Sequence, residues 1–167
     1  MRTKIGSIAA VSRQSGKFFC CIIGLLLLVL PLTANAITCR IGLRPIDFGL
    51  YMPLTQVPVD VIGQFDVRCQ AQPGTFAVII GAGISGNQLA RTLSAGGSGV
   101  LNYNLYSDAA RTQIWGDGTP PTVLVTGSRT GQGRPTFYIY PVYARIFANQ
   151  APDPGIYGDN LLVTVLF

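Results

Sequence analysis

Gln64-Phe65-Asp66-Val67-Arg68-Cys69 is the stretch whose reading decides the fold. In an extended chain Phe65, Val67 and Cys69 share one face and Gln64, Asp66 and Arg68 the other, because successive strand side chains point to opposite sides. An apolar face with a period of two is a half-buried β-strand. Outward from it, Thr38 to Leu43 reads as an earlier strand, and Leu101-Asn102-Tyr103-Asn104-Leu105-Tyr106 alternates in the same manner. Asn160 to Phe167 closes the chain with Leu161, Val163, Val165 and Phe167 on one side and Leu162, Thr164 and Leu166 on the other. A terminal strand apolar on both faces is expected to be an ordinary central strand of a sheet, or else to lie between layers or against a partner. Short runs of this kind, parted by Gly, Pro, Asn and Asp, predict an all-β sandwich. The Gly/Ser-rich Ser94 to Gly99 is a loop inside one domain, with no repeat or linker elsewhere.

The N-terminus has a different character. Arg2, Lys4, Arg13 and Lys17 lead into an apolar run from Phe18 to Leu32, and Thr33-Ala34-Asn35-Ala36 offers a small-residue cleavage site. Fifteen apolar residues fall short of the roughly 20 that a bilayer needs, so residues 1–36 are expected to be a cleaved secretory signal and 37–167 the folded domain.

Export reshapes the charge argument. The chain's net +5 shrinks to eight Arg against seven Asp over residues 37–167, which gives no support to nucleic-acid or acidic-membrane binding. The same residues hold no Lys, Glu or His, and so lack the usual general base, Schiff-base residue and commonest metal ligand. An enzyme is not expected. Cys20 and Cys21 leave with the signal. Cys39 and Cys69 then meet an oxidising compartment without C-x-x-C spacing, and a structural disulfide between two early strands is expected.

Phe76 to Leu93 carries a competing motif, a buried strand running into Gly81-x-Gly83-x-x-Gly86, with Asp108 standing where a ribose-binding acid would be sought. Dinucleotide binding requires a helix after those glycines to supply dipole and free N–H groups. Asn87 to Leu93 allows about two turns, short of a parallel crossover, so a glycine turn in a β protein is expected and no cofactor. Trp115-Gly116-Asp117-Gly118 reads as a buried Trp beside a tight Asp-Gly turn. Asp117, Asp153 and Asp159 match no ligand-loop spacing, so no metal is expected.

Taken in order, several stretches resemble the spore coat protein U domain family, which includes subunits of archaic chaperone–usher pili. They are Cys39 with Ile46-Asp47-Phe48-Gly49-Leu50-Tyr51, Gly63 to Cys69, Arg91-Thr92-Leu93, Leu101 to Arg111, Trp115 to Gly118, Val142 to Ile146, and Pro154 to Phe167. The resemblance implies an incomplete immunoglobulin-like antiparallel β-sandwich whose missing strand leaves a hydrophobic groove. It also implies three partners: a periplasmic chaperone that fills the groove, an outer-membrane usher, and a neighbouring pilus subunit whose N-terminal extension replaces the chaperone. Such strand addition uses main-chain hydrogen bonds for affinity and pockets for specificity. By the same resemblance Leu161, Val163, Val165 and Phe167 line the groove or meet the chaperone.

The chain departs from stalk subunits in that Ile37 and Thr38 alone stand between the expected cleavage site and Cys39. It is expected to receive a strand without giving one, which suits a tip or initiating subunit of a surface fibre that passes through the periplasm. The alternative is a self-complete secreted binding module or coat protein acting through its loops.

Overall fold

A computed structural model describes residues 37–167 apart from 72, 98 and 132. The expected signal at residues 1–36 lies outside the described residues. Eight strands follow in order: β1 Thr38–Gly42, β2 Val59–Ala71, β3 Gly74–Ile80, β4 Arg91–Ser94, β5 Val100–Tyr106, β6 Val125–Arg129, β7 Gly133–Ile146 and β8 Val163–Leu166. They form a five-stranded sheet ordered β1-β2-β7-β5-β4 and a three-stranded sheet ordered β6-β3-β8, and every pairing is antiparallel. This is the all-β sandwich that the alternating runs predict.

Gln64 to Cys69 lies in the middle of β2, with Phe65, Val67 and Cys69 buried as their alternation requires. The long β2–β7 ladder from Val59↔Ile146 to Cys69↔Thr136 is the backbone of the larger sheet. Cys39 stands opposite Cys69 in the β1–β2 register, and the two are bonded (S–S 2.08 Å). Closing a loop of 30 residues stabilises the fold by about 3–4 kcal/mol in the chain-entropy model.

Phe76, Val78 and Ile80 of β3 meet Phe65 and Val67 of β2, Leu101, Tyr103 and Leu105 of β5, and Val142, Ala144 and Ile146 of β7 in one core. Trp115 is buried within it, 5.4 Å from the Phe65 ring, and its indole Nε1–H donates to the Val78 carbonyl at 2.9 Å. That bond satisfies the ring's polar edge where no water reaches.

The glycine motif is a turn. β3 runs into a single 3₁₀ turn at Gly83–Ser85 and then to β4, and Gly83 and Gly86 both sit at φ +68°. A Cβ at Gly83 would stand 2.0 Å from an Asp159 carboxylate oxygen, so close approach and positive φ both require glycine here. The alternation read in β5 fails at Asn104, which is fully buried. Its amide accepts from the Arg91 guanidinium at 2.6 Å and donates to the Leu89 carbonyl at 3.1 Å, so a polar position is covered because its partners are covered with it.

Candidate functional site

β8 is an edge strand and not the central strand that its two apolar faces suggest, because β3 is its one neighbour among the described residues. It pairs with β3 from Ile80↔Val163 to Ala77↔Leu166, and no strand among the described residues lies on its other side. The Gly81 N–H donates to the Leu162 carbonyl at 2.8 Å, which fixes the phase of the ladder. In an antiparallel pair the N–H and C=O of one residue point the same way and alternate along the strand. Leu162, Thr164 and Leu166 therefore turn their main chain towards β3. Leu161, Val163 and Val165 turn theirs to the open edge.

Beside that edge lies an apolar groove with a cavity of about 1000 Å³. Its floor is the inner face of the large sheet: Phe65, Leu93, Leu101, Tyr103, Leu105 and Val142. Leu161 and Val163 line the β8 side, and the irregular stretch Leu43–Tyr51 lines the other. Charge is confined to a few lining groups, Arg44, Asp47, Asp153 and Asp159.

Of the four site residues expected from sequence, Leu161 and Val163 stand on the groove. Val165 packs on the core opposite Val78, and Phe167, beyond the end of β8, is 61% exposed. The expectation of cover on both faces of this strand is not met within the described residues. Leu162 is 73% exposed and Leu166 50% exposed, because the small sheet has no further layer on its outer side. Sequence reading gave no groove role to Leu43–Tyr51. The signal was present in Ile46 and Phe48, which alternate inward with Asp47 between them, but Pro45 and Gly49 on either side hide it.

The polar chemistry near the groove is structural. The Tyr103 hydroxyl donates to Asp159 at 2.6 Å, and burial, reinforced by that bond, pushes the phenol well above its ordinary range. It is held as a donor. Asp159 also accepts from the Ile84 N–H at 2.8 Å and so ties the approach to β8 onto the glycine turn. Behind it Arg91 is fully buried, and its guanidinium donates to the carbonyls of Ile80 (3.0 Å), Gly81 (2.9 Å) and Trp115 (2.8 Å). Desolvation lowers the Arg91 pKa, opposed by the nearby Tyr103 and Asp159. Asp117 is used within its turn, accepting from the Thr119 N–H at 2.9 Å. Among the described residues no helix is long and apolar enough to cross a membrane.

The fold is an antiparallel β-sandwich in which β8 is an unpaired edge beside an apolar groove. The model of the Spore Coat Protein U domain matches residues 26–164, and the chain belongs to that family. Among solved structures it is similar to a chain in the crystal structure of the CsuC–CsuE chaperone–tip adhesion subunit pre-assembly complex from the archaic chaperone-usher Csu pili of Acinetobacter baumannii. The identity is 21% and the TM-score 0.55, over 79% of this chain and 40% of that one. That likeness is one of fold, and this chain spans about two fifths of the other's length. No curated protein matches the chain.

Proposed function

We propose that this protein is a structural or adhesive subunit of a surface fibre, assembled by strand complementation with a periplasmic chaperone and an outer-membrane usher. The observation that carries the reading is the open β8 edge. Leu161 and Val163 present unpaired main-chain groups and apolar side chains to the same groove. An incoming strand with apolar residues at alternate positions would satisfy the first and fill the second. The family and the fold shared with a chain of a chaperone–tip subunit complex support the same reading.

On this reading residues 1–36 are removed as a signal, residues 37–167 are the working domain, and the protein passes through the periplasm to the cell surface. It carries out no catalysis and takes no cofactor. Leu161, Val163 and Val165 form the acceptor edge, with Phe167 at its end. Cleavage after Ala36 would leave Ile37 and Thr38 alone before Cys39, which suits a tip or initiating position. The alternative, a self-complete binding module, is disfavoured by the unpaired β8 edge beside the groove.

Periplasmic expression with and without the cognate chaperone, followed by intact mass and size-exclusion chromatography, tests this. The expected product is a 1:1 chaperone complex whose subunit begins at Ile37 with one disulfide. A stable monomer made without any chaperone would overturn the proposal and leave the self-complete module.

A further inference from the structure

Leu43–Tyr51 runs along the far side of the groove without joining either sheet. Among the described residues no main-chain hydrogen bond ties this strap to a neighbouring strand. Three side chains hold it. Ile46 lies over Gly63 of β2, where a Cβ would come within 2.5 Å of Ile46 Cγ1, so the missing side chain is the seat that Ile46 occupies. Phe48 packs edge-on against Tyr103, with ring centroids 5.8 Å apart. The Tyr51 hydroxyl accepts from the Gln150 N–H at 3.0 Å and lies 3.3 Å from the carbonyls of Phe147 and Gln150. Backbone pivots stand near its end, at Gly49 (φ +70°) and Leu54 (φ +58°).

A strand held by a ladder opens with its sheet, whereas a segment held by a few side-chain anchors can open alone. We propose that Leu43–Tyr51 is the gate of the acceptor groove, with Gly63 as its seat and Ile46 and Phe48 as its latch. With both side chains seated, the strap narrows the groove facing β8. Their release sets the rate at which an extended, alternately apolar segment enters, and Tyr51 stays fixed as the hinge-side anchor. The inference rests on the strand-acceptor reading and adds to it which residues control entry.

The test uses the subunit released from its purified chaperone complex immediately before mixing with a fluorescent synthetic peptide with Val or Ile at alternate positions. A control peptide carries Asp at those positions. Association is followed by anisotropy for wild type, the Ile46→Ala/Phe48→Ala pair and Gly63→Val, which fills the seat. Both variants are expected to speed association roughly tenfold, the effect of lowering a barrier by about one anchor. Amide exchange in wild type should show fast exchange over residues 43–50 before binding and slow exchange after it, with the β2–β7 ladder protected throughout.

Equal association rates in all three proteins, with the peptide bound, would overturn the gate and leave the acceptor groove standing. Binding by none of them would overturn the groove and the gate together. If a variant fails to fold, the exchange experiment decides alone, because a strap as protected as β2 in free wild-type protein also overturns the gate.

Discussion

Two regions flank the small sheet, and they are built in opposite ways. Around Arg91 the guanidinium, the Asn104 amide, the Trp115 indole and the Asp159 carboxylate all find partners, so a buried cation is surrounded by satisfied groups. Along β8 the main chain of Leu161, Val163 and Val165 faces an open edge, and the facing strap is held by side chains. The regions meet at Leu162, whose carbonyl is tied to Gly81. The contrast teaches that a sandwich can leave the β8 edge unpaired while the Arg91 end is closed by a network that needs no further strand.

The largest expected effect comes from breaking the closed end. Arg91→Met keeps much of the volume but orphans the buried carbonyls of Ile80 and Trp115, while the Asn104 amide oxygen keeps its bond from the Leu105 N–H. Each unsatisfied buried acceptor costs about 1–3 kcal/mol, so a loss of about 3–5 kcal/mol is expected in urea unfolding at neutral pH. A loss below about 1 kcal/mol would mean that the network does not carry the closed end.

Next in size is Gly83→Ala. The new Cβ would collide with Asp159 in a backbone conformation at φ +68°, and a loss of about 2–3 kcal/mol is expected. The same variant weighs the two meanings of the glycine motif, since a turn residue alters stability and leaves the ultraviolet–visible spectrum as it was.

How far this contrast was legible in the sequence depends on the distance over which each signal acts. Phe65, Val67 and Cys69 alternate within six residues, so the strand and the face of its cysteine could be read directly. The glycine turn was legible because the helix that would have made it a cofactor site has no room before Ser94. Arg91 was not, because its partners come from Ile80, Asn104 and Trp115, and no local pattern announces a buried cation shared among three segments. The strap was hidden for a similar reason. Pro45 and Gly49 interrupt its alternation, and Gly63, the residue that makes room for Ile46, belongs to a different strand. On β8 the inward residues were legible by period, while the bareness of the outer face depends on how many layers the fold has.

A smaller effect is expected on the outer face of the large sheet, where Arg145 makes two 2.7 Å bonds to Asp60. The bond to Arg145 is the main cause that holds the Asp60 carboxyl below its ordinary value, opposed by partial burial. A depressed folded-state pKa gives stability that is present above the unfolded value, near 4, and is lost as pH falls through the folded pKa. Asp60→Asn should therefore cost up to about 1 kcal/mol at neutral pH and progressively less as acid protonates the wild-type carboxylate. A cost that stays constant through that acid range would mean that packing, and not the ion pair, sets the effect.

The smallest expected effect is the sharpest test of the open edge, because it separates two residues that are neighbours in the chain. Leu162 points outward and is 73% exposed, so Leu162→Gln should change stability by less than about 0.5 kcal/mol and leave strand-peptide binding unchanged. Leu161 is partly buried against the core where it lines the groove, and Leu161→Gln should cost about 1 kcal/mol of stability and weaken peptide binding roughly tenfold by placing an amide against the incoming apolar face. The two variants share chemistry, side-chain size and distance from the chain end, so a difference between them can come only from which side of β8 each faces. Equal losses of binding would show that the strand enters without reading the inner face, and the phase assigned from the Gly81–Leu162 bond would then be wrong.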